Sequence, residues 1–111
     1  MITSVVVSYQ VKPEAIEEHV RLIEAVFEQL HAEQPGNLEY KVLRLDDGVS
    51  FVHVSTADTA DGSNPLPGLA AFKEFGKDSA DRVATAPNPT EAAIIGSYLP
   101  TAPVSQGVKQ G

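Results

Sequence analysis

The side chains with the most capacity for chemistry are three histidines (19, 31 and 53), three tyrosines (9, 40 and 98) and a few arginines. There is no cysteine, which removes thiolate nucleophiles, disulfides, Cys-ligated zinc and iron–sulfur clusters together. His53 lies between Val52 and Val54 in an apolar run. An imidazole there is either hydrogen-bonded in the core or lines a cavity, and its ordinary pKa of about 6.5 allows proton transfer near neutrality. It is the candidate catalytic residue. Tyr9, Tyr40 and Tyr98 all fall in strand-like runs. A phenol joins apolar area to one polar tip, which suits a pocket for a small aromatic ligand and equally a sheet interface. Phe72 and Arg82 complete the candidate ligand contacts. Arg82 is either an anion anchor or a cation answering a helix dipole, and Arg44 is a second potential anchor. His19 and His31 stand at the border of an apolar helix stripe, where one nitrogen of each would stay wet. They are too far apart to share a metal through i, i+4 geometry. Phosphate loops, Gly-x-Ser-x-Gly, His-Glu-x-x-His and EF-hand spacing are absent from the sequence. Asp58 and Asp61 make a poor cation site. No metal and no cofactor are expected.

The elements that must position these residues read clearly. Thr3 to Val11 is a strand of β-branched and aromatic residues. Lys12-Pro13-Glu14 stops it and starts a helix, because proline suits the first helical position and Glu14, Glu17 and Glu18 favour the positive helix end. Ile16, Val20, Ile23, Phe27 and Leu30 then recur at helical spacing. Gln34-Pro35-Gly36-Asn37 ends the helix, with Gly36 able to take positive φ and Pro35 unable to continue the ladder. Leu38 to Leu45 and Val49 to Thr56 are strands joined by the hairpin signal Asp46-Asp47-Gly48. Asp58 to Pro67 is loop, with one helical turn begun at Asn64-Pro65. The spacing of Leu69, Phe72, Phe75, Ser79 and Val83 predicts a second helix within Leu69 to Ala86, weakened by Gly76 and Ser79. Pro87-Asn88-Pro89 breaks it, and Thr90 to Leu99 is the last strand. The order βαββαβ with right-handed crossovers predicts an α+β ferredoxin-like domain: a four-stranded antiparallel sheet with both helices on one face. Residues 1–100 form that domain and 101–111 a flexible tail.

The chain has 111 residues, one domain by length. Eight Lys and Arg against fifteen Asp and Glu give a net charge of −7. With no basic cluster, nucleic acid and anionic membrane surfaces are poor partners. The opening Met1-Ile2-Thr3-Ser4 lacks the basic region of a secretory signal, and no apolar run approaches the roughly 20 residues of a membrane span. A cytoplasmic location is expected.

The third and fourth strands read as apolar on both faces: Phe51 and His53 against Val52 and Val54, and Ala92, Ile94 and Tyr98 against Ala93, Ile95 and Leu99. Two helices cover only one face of a sheet, so a second copy of the sheet is the economical cover for the other. A homodimer is expected.

This order resembles the dimeric α/β-barrel superfamily, as do Val5-Val6-Val7-Ser8-Tyr9-Gln10-Val11-Lys12-Pro13-Glu14, Phe51-Val52-His53-Val54, Leu69-Ala70-Ala71-Phe72-Lys73-Glu74-Phe75 and Gly96-Ser97-Tyr98. More narrowly the chain is similar to the small antibiotic-biosynthesis-monooxygenase-like proteins, many of unassigned function, over roughly Thr3 to Leu99. The resemblance implies a homodimer with facing sheets and a cavity between sheet and helices for a small aromatic substrate or haem. Some members oxidise polycyclic aromatic compounds with dioxygen and neither metal nor flavin; others degrade haem. The oxidising members lean on Trp and Asn, whereas this chain has no Trp and its Asn residues (37, 64 and 88) fall in predicted turns. The haem-degrading members use a His on the second helix, and Leu69 to Ala86 contains none. Two readings follow. One is a cofactor-independent oxygenase acting on a small aromatic compound. The other is a non-catalytic homodimer that binds a small molecule or serves as an assembly module.

Overall fold

A computed structural model describes residues 1–98. Strand β1 (Ile2–Gln10) leads through a 3-10 turn at Pro13–Ala15 into helix α1 (Ile16–Glu33). Strands β2 (Leu38–Arg44) and β3 (Ser50–Asp58) form the expected hairpin. Its turn is closed by Asp47, whose carboxylate accepts from the backbone N–H groups of Val49 and Ser50, while Gly48 takes φ +79°. Asn64 starts a 3-10 turn at Leu66–Gly68 by accepting from the Leu66 N–H. The sheet order is β2-β3-β1-β4, antiparallel throughout, with β3 beside β1. This is the predicted four-stranded α+β ferredoxin-like fold.

Alternation along β3 separates the two faces. Phe51, His53, Ser55 and Ala57 are buried, whereas Ser50, Val52, Val54 and Thr56 are only half-buried. The buried set meets α1 and the second helical segment. One core cluster joins Tyr9, Val11, Ile23 and Phe51; a second joins Val26, Leu66 and Leu69.

Four expectations are corrected. The second helix is not continuous: α2 (Ala70–Lys77) and α3 (Ser79–Arg82) are separated at Asp78, and Val83 is already extended. Val83 then bridges Val11, and the Lys12 N–H donates to the Arg82 carbonyl at 2.9 Å, which anchors the end of α3 beneath the end of β1. Strand β4 spans Asn88–Ala92, upstream of the predicted Thr90 to Leu99. Pro89 does not prevent this, because β4 pairs only with β1 and an edge strand can spare one N–H. Ile94, Ile95 and Tyr98 consequently stand beyond the strand and are exposed, and the apolar double register holds for β3 but not for β4. At the end of α1 the positive φ (+49°) falls on Gln34 rather than Gly36. Pro35 follows it and disfavours a right-handed α conformation there. Finally, the most buried side of α1 is His19, Leu22, Ile23 and Val26, rotated from the predicted stripe, so His19 is central and not marginal. Leu99 and the expected tail at 101–111 lie outside the described residues. Among the described residues, no helix is long and apolar enough to cross a membrane.

Candidate functional site

Five polar side chains from five separate elements meet between the sheet and the helices. Tyr9 enters from β1, His53 from the central strand β3, Tyr40 from β2, His19 from α1 and Arg82 from α3. The Tyr9 hydroxyl lies 2.7 Å from His19 Nε2 and 2.6 Å from His53 Nε2. His53 Nδ1 is 2.7 Å from the Tyr40 hydroxyl. Arg82 Nε donates to His19 Nδ1 at 3.1 Å. The result is one unbroken series, Arg82–His19–Tyr9–His53–Tyr40. Arg82 also donates through Nη2 to the Phe75 carbonyl, near the end of α2, and lies over the Phe75 ring. The break at Asp78 is what turns α3 so that this guanidinium returns to the core.

His19 is fully buried (0% exposed), and Tyr9, His53 and Arg82 are nearly so. Such burial is tolerable because every ring nitrogen of both histidines has a partner. Aromatic packing seals the series: Phe51 stacks on Tyr9, and Phe75 lies against both imidazoles. Desolvation pushes His19 and His53 down to about 4, with Arg82 adding to the effect on His19. Both imidazoles are therefore neutral across the physiological range. Desolvation also pushes the Tyr9 and Tyr40 phenols well above their ordinary range, Tyr9 further through its proximity to Tyr40. The unit is neutral apart from the guanidinium at one end.

The other end meets solvent. Tyr40 is half-buried, its ring stacked on Phe27 with centroids 5.1 Å apart. It lines a cleft of about 570 Å³, within the usual size range of small-molecule sites. Phe27, Leu30 and Leu38 provide apolar wall; His31 and Gln34 provide polar groups.

Of the residues singled out in the sequence, the fold brings together Tyr9, Tyr40, His53 and Arg82. Phe72 packs beside Phe75, next to the series without joining it. Tyr98 does not belong to the cluster: it is 88% exposed, beyond the end of β4. Arg44 stays at the hairpin, where its Nε donates to the Gly48 carbonyl. His53 occupies a satisfied core position, with neither ring nitrogen open. His19 is the member that residue-type reasoning missed. Its spacing of three and four from Leu22 and Ile23 placed it on an apolar face, and that was the available signal. His31 shares the Tyr40 cleft. Among the described residues no three His, Asp or Glu side chains gather as a metal-ligand set.

The chain's relatives agree with this architecture. A solved structure from Nitrosomonas europaea, provisionally named an antibiotic biosynthesis monooxygenase, superposes with a TM-score of 0.70 at 19% identity, covering 85% of this chain and 90% of that one. A second such protein, from Caulobacter crescentus, gives 0.69 at 22% identity, with 86% and 91% covered. A conserved protein from Methanosarcina mazei gives 0.68 at 17%, with 83% and 91% covered. At these identities the likeness shows the fold. No curated protein matches the sequence. The family model for antibiotic biosynthesis monooxygenase, however, matches residues 2–59, a span that carries Tyr9, His19, Tyr40 and His53. The chain belongs to the antibiotic biosynthesis monooxygenase family.

Proposed function

We propose that this protein is a cofactor-independent oxygenase acting on a small aromatic compound, bound in the cleft beside Tyr40 with the buried series behind it. The observation that carries this reading is the continuity of hydrogen bonds from the interior to a residue that lines that cleft. A closed polar cluster would need no exit, yet this one ends on a half-buried phenol at the wall of a ligand-sized space. Family membership supports the reaction class, with dioxygen as oxidant. Tyr40 is then the group that touches the ligand, stacked on Phe27 to offer a flat apolar surface beside a polar tip. His53 acts through Tyr40, and Tyr9, His19 and Arg82 hold His53 in place. The test is oxygen consumption by the purified protein across a panel of hydroxylated mono- and polycyclic aromatic compounds. Uptake that saturates with one compound supports the reading. Saturable binding of such compounds with no uptake would replace it with the non-catalytic one.

A specific observation favours a homodimer under either reading. The sheet face away from the helices carries Val6, Val52 and Val54, with the more exposed Leu43 beside Val52. A second copy would cover them, as apolar surface of this extent favours association. Sedimentation at micromolar concentration should report twice the chain mass, and a clean monomer would rule the dimer out.

A further inference from the structure

We infer that Arg82 fixes the direction of the whole hydrogen-bond series, making Tyr40 a donor to its cleft, and that the ligand there presents an oxyanion, such as a phenolate or enolate. The inference rests on the proposed use of this cleft and adds the ionisation state of what binds.

The direction follows from donor and acceptor counts. A guanidinium has donors only, so His19 Nδ1, which receives Arg82 Nε at 3.1 Å, carries no hydrogen. Neutral His19 therefore bears its hydrogen on Nε2 and donates it to the Tyr9 oxygen. The buried Tyr9 hydroxyl hydrogen needs an acceptor, and His53 Nε2 at 2.6 Å is the one in reach. That leaves the His53 hydrogen on Nδ1, donated to the Tyr40 oxygen. The Tyr40 hydroxyl hydrogen is then the one left over: among the described residues Tyr40 makes no other hydrogen bond. Every hydrogen in the series points away from the guanidinium and toward Tyr40, a residue of the cleft wall. Each bond polarises the next in a low-dielectric interior, which strengthens the last donor. Tyr40 cannot pass a ligand proton inward, because reversing the series would set a hydrogen on His19 Nδ1 against Arg82 Nε–H. The series stabilises negative charge on a ligand oxygen, in the manner of an oxyanion hole. The cleft agrees with this polarity. Although the chain is strongly acidic, among the described residues no carboxylate lines the cleft, and its other titratable side chain is His31.

Arg82 is thus a positioning residue acting four hydrogen bonds from Tyr40 and five from the ligand. Long-range proton–nitrogen NMR of the full chain reads its effect directly. The wild type should show an unprotonated Nδ1 in His19 and an unprotonated Nε2 in His53. Arg82→Met should mix the His53 tautomers, and Arg82→Lys, which keeps a donor-only cation, should restore the preference. A wild-type His53 with its hydrogen on Nε2 overturns the inference, as do tautomers unchanged in a folded Arg82→Met protein. If that variant does not fold, the wild-type spectrum still decides. The ligand class is probed with 4-nitrophenol, whose visible absorbance reports ionisation. It should bind as the phenolate at a pH where the free probe is mostly protonated, and Tyr40→Phe should weaken binding about tenfold or more, the value of one hydrogen bond to a charged group. Binding as the neutral phenol, binding indifferent to Tyr40→Phe, or no binding at millimolar probe would each overturn it. Phenolate binding without oxygen uptake on any aromatic compound would remove the oxygenase reading and leave this one; reversed tautomers with intact uptake would do the opposite.

Discussion

The two faces of the sheet invert the usual relation between residue type and burial. The face under the helices holds two histidines, two tyrosines and an arginine, all buried but the half-buried Tyr40, while the opposite face carries half-buried valines and an exposed leucine. The inversion has a physical cause on each side. The buried polar groups under the helices partner one another and, for Arg82, the Phe75 carbonyl, which offsets much of the cost of burying them. Among the described residues the apolar groups on the open face lack a partner, since the helices lie on the other side. Burial follows from available partners and not from polarity alone.

If this contrast is right, the two faces respond oppositely to substitution. The largest expected effect is that of His19→Ala, which empties a fully buried site and strands the Arg82 cation: about 3–5 kcal/mol by denaturant melt. Tyr9→Phe keeps the volume but leaves His19 Nε2–H and His53 Nε2 unpaired, for about 2–4 kcal/mol. Acid should act on the same face. Both histidines titrate near 4 when folded and from about 6.5 when unfolded. Between those values the unfolded chain binds more protons. Stability is therefore fully present above pH 6.5 and is lost as pH falls toward 4, by up to about 1.4 kcal/mol per pH unit for each histidine. Melts across pH 4–7 check this, and Tyr9→Phe should flatten the slope as the histidines rehydrate. On the open face, Val54→Lys should cost under about 1 kcal/mol but halve the mass seen by sedimentation. The smallest effect belongs to Tyr98→Ala, within about 0.5 kcal/mol, because the side chain is almost wholly exposed.

The sequence made the scaffold legible where local rules apply. Asp47-Gly48 forms its turn through short-range hydrogen bonds, and alternation along residues 51–57 reflects the pleat itself. His53 on a central strand was equally readable, since strand order follows from connectivity. The remainder of the site was not, for identifiable reasons. A helix stripe drawn from apolar residues excludes His19 by its type, although the buried side of α1 runs through it. Arg82 reaches His19 across a sequence separation of 63 residues, through a helix break at Asp78 that no proline marks. Strand β4 was displaced because proline reads as a breaker, yet at a sheet edge the missing N–H is harmless.

On the proposed reading the buried series serves the Tyr40 cleft and is more than a way of filling the core. Tyr40→Phe tests it most directly, because it removes one half-buried hydroxyl at the end of the series and leaves the ring stacked on Phe27. Oxygen uptake and a denaturant melt should be measured on the same preparation of this variant. A fall in kcat of about 100-fold or more is expected, in line with loss of an oxyanion donor, with stability lowered by about 1–3 kcal/mol because the buried His53 Nδ1–H loses its acceptor. Unchanged turnover in the folded variant would contradict this and make the series a structural device alone.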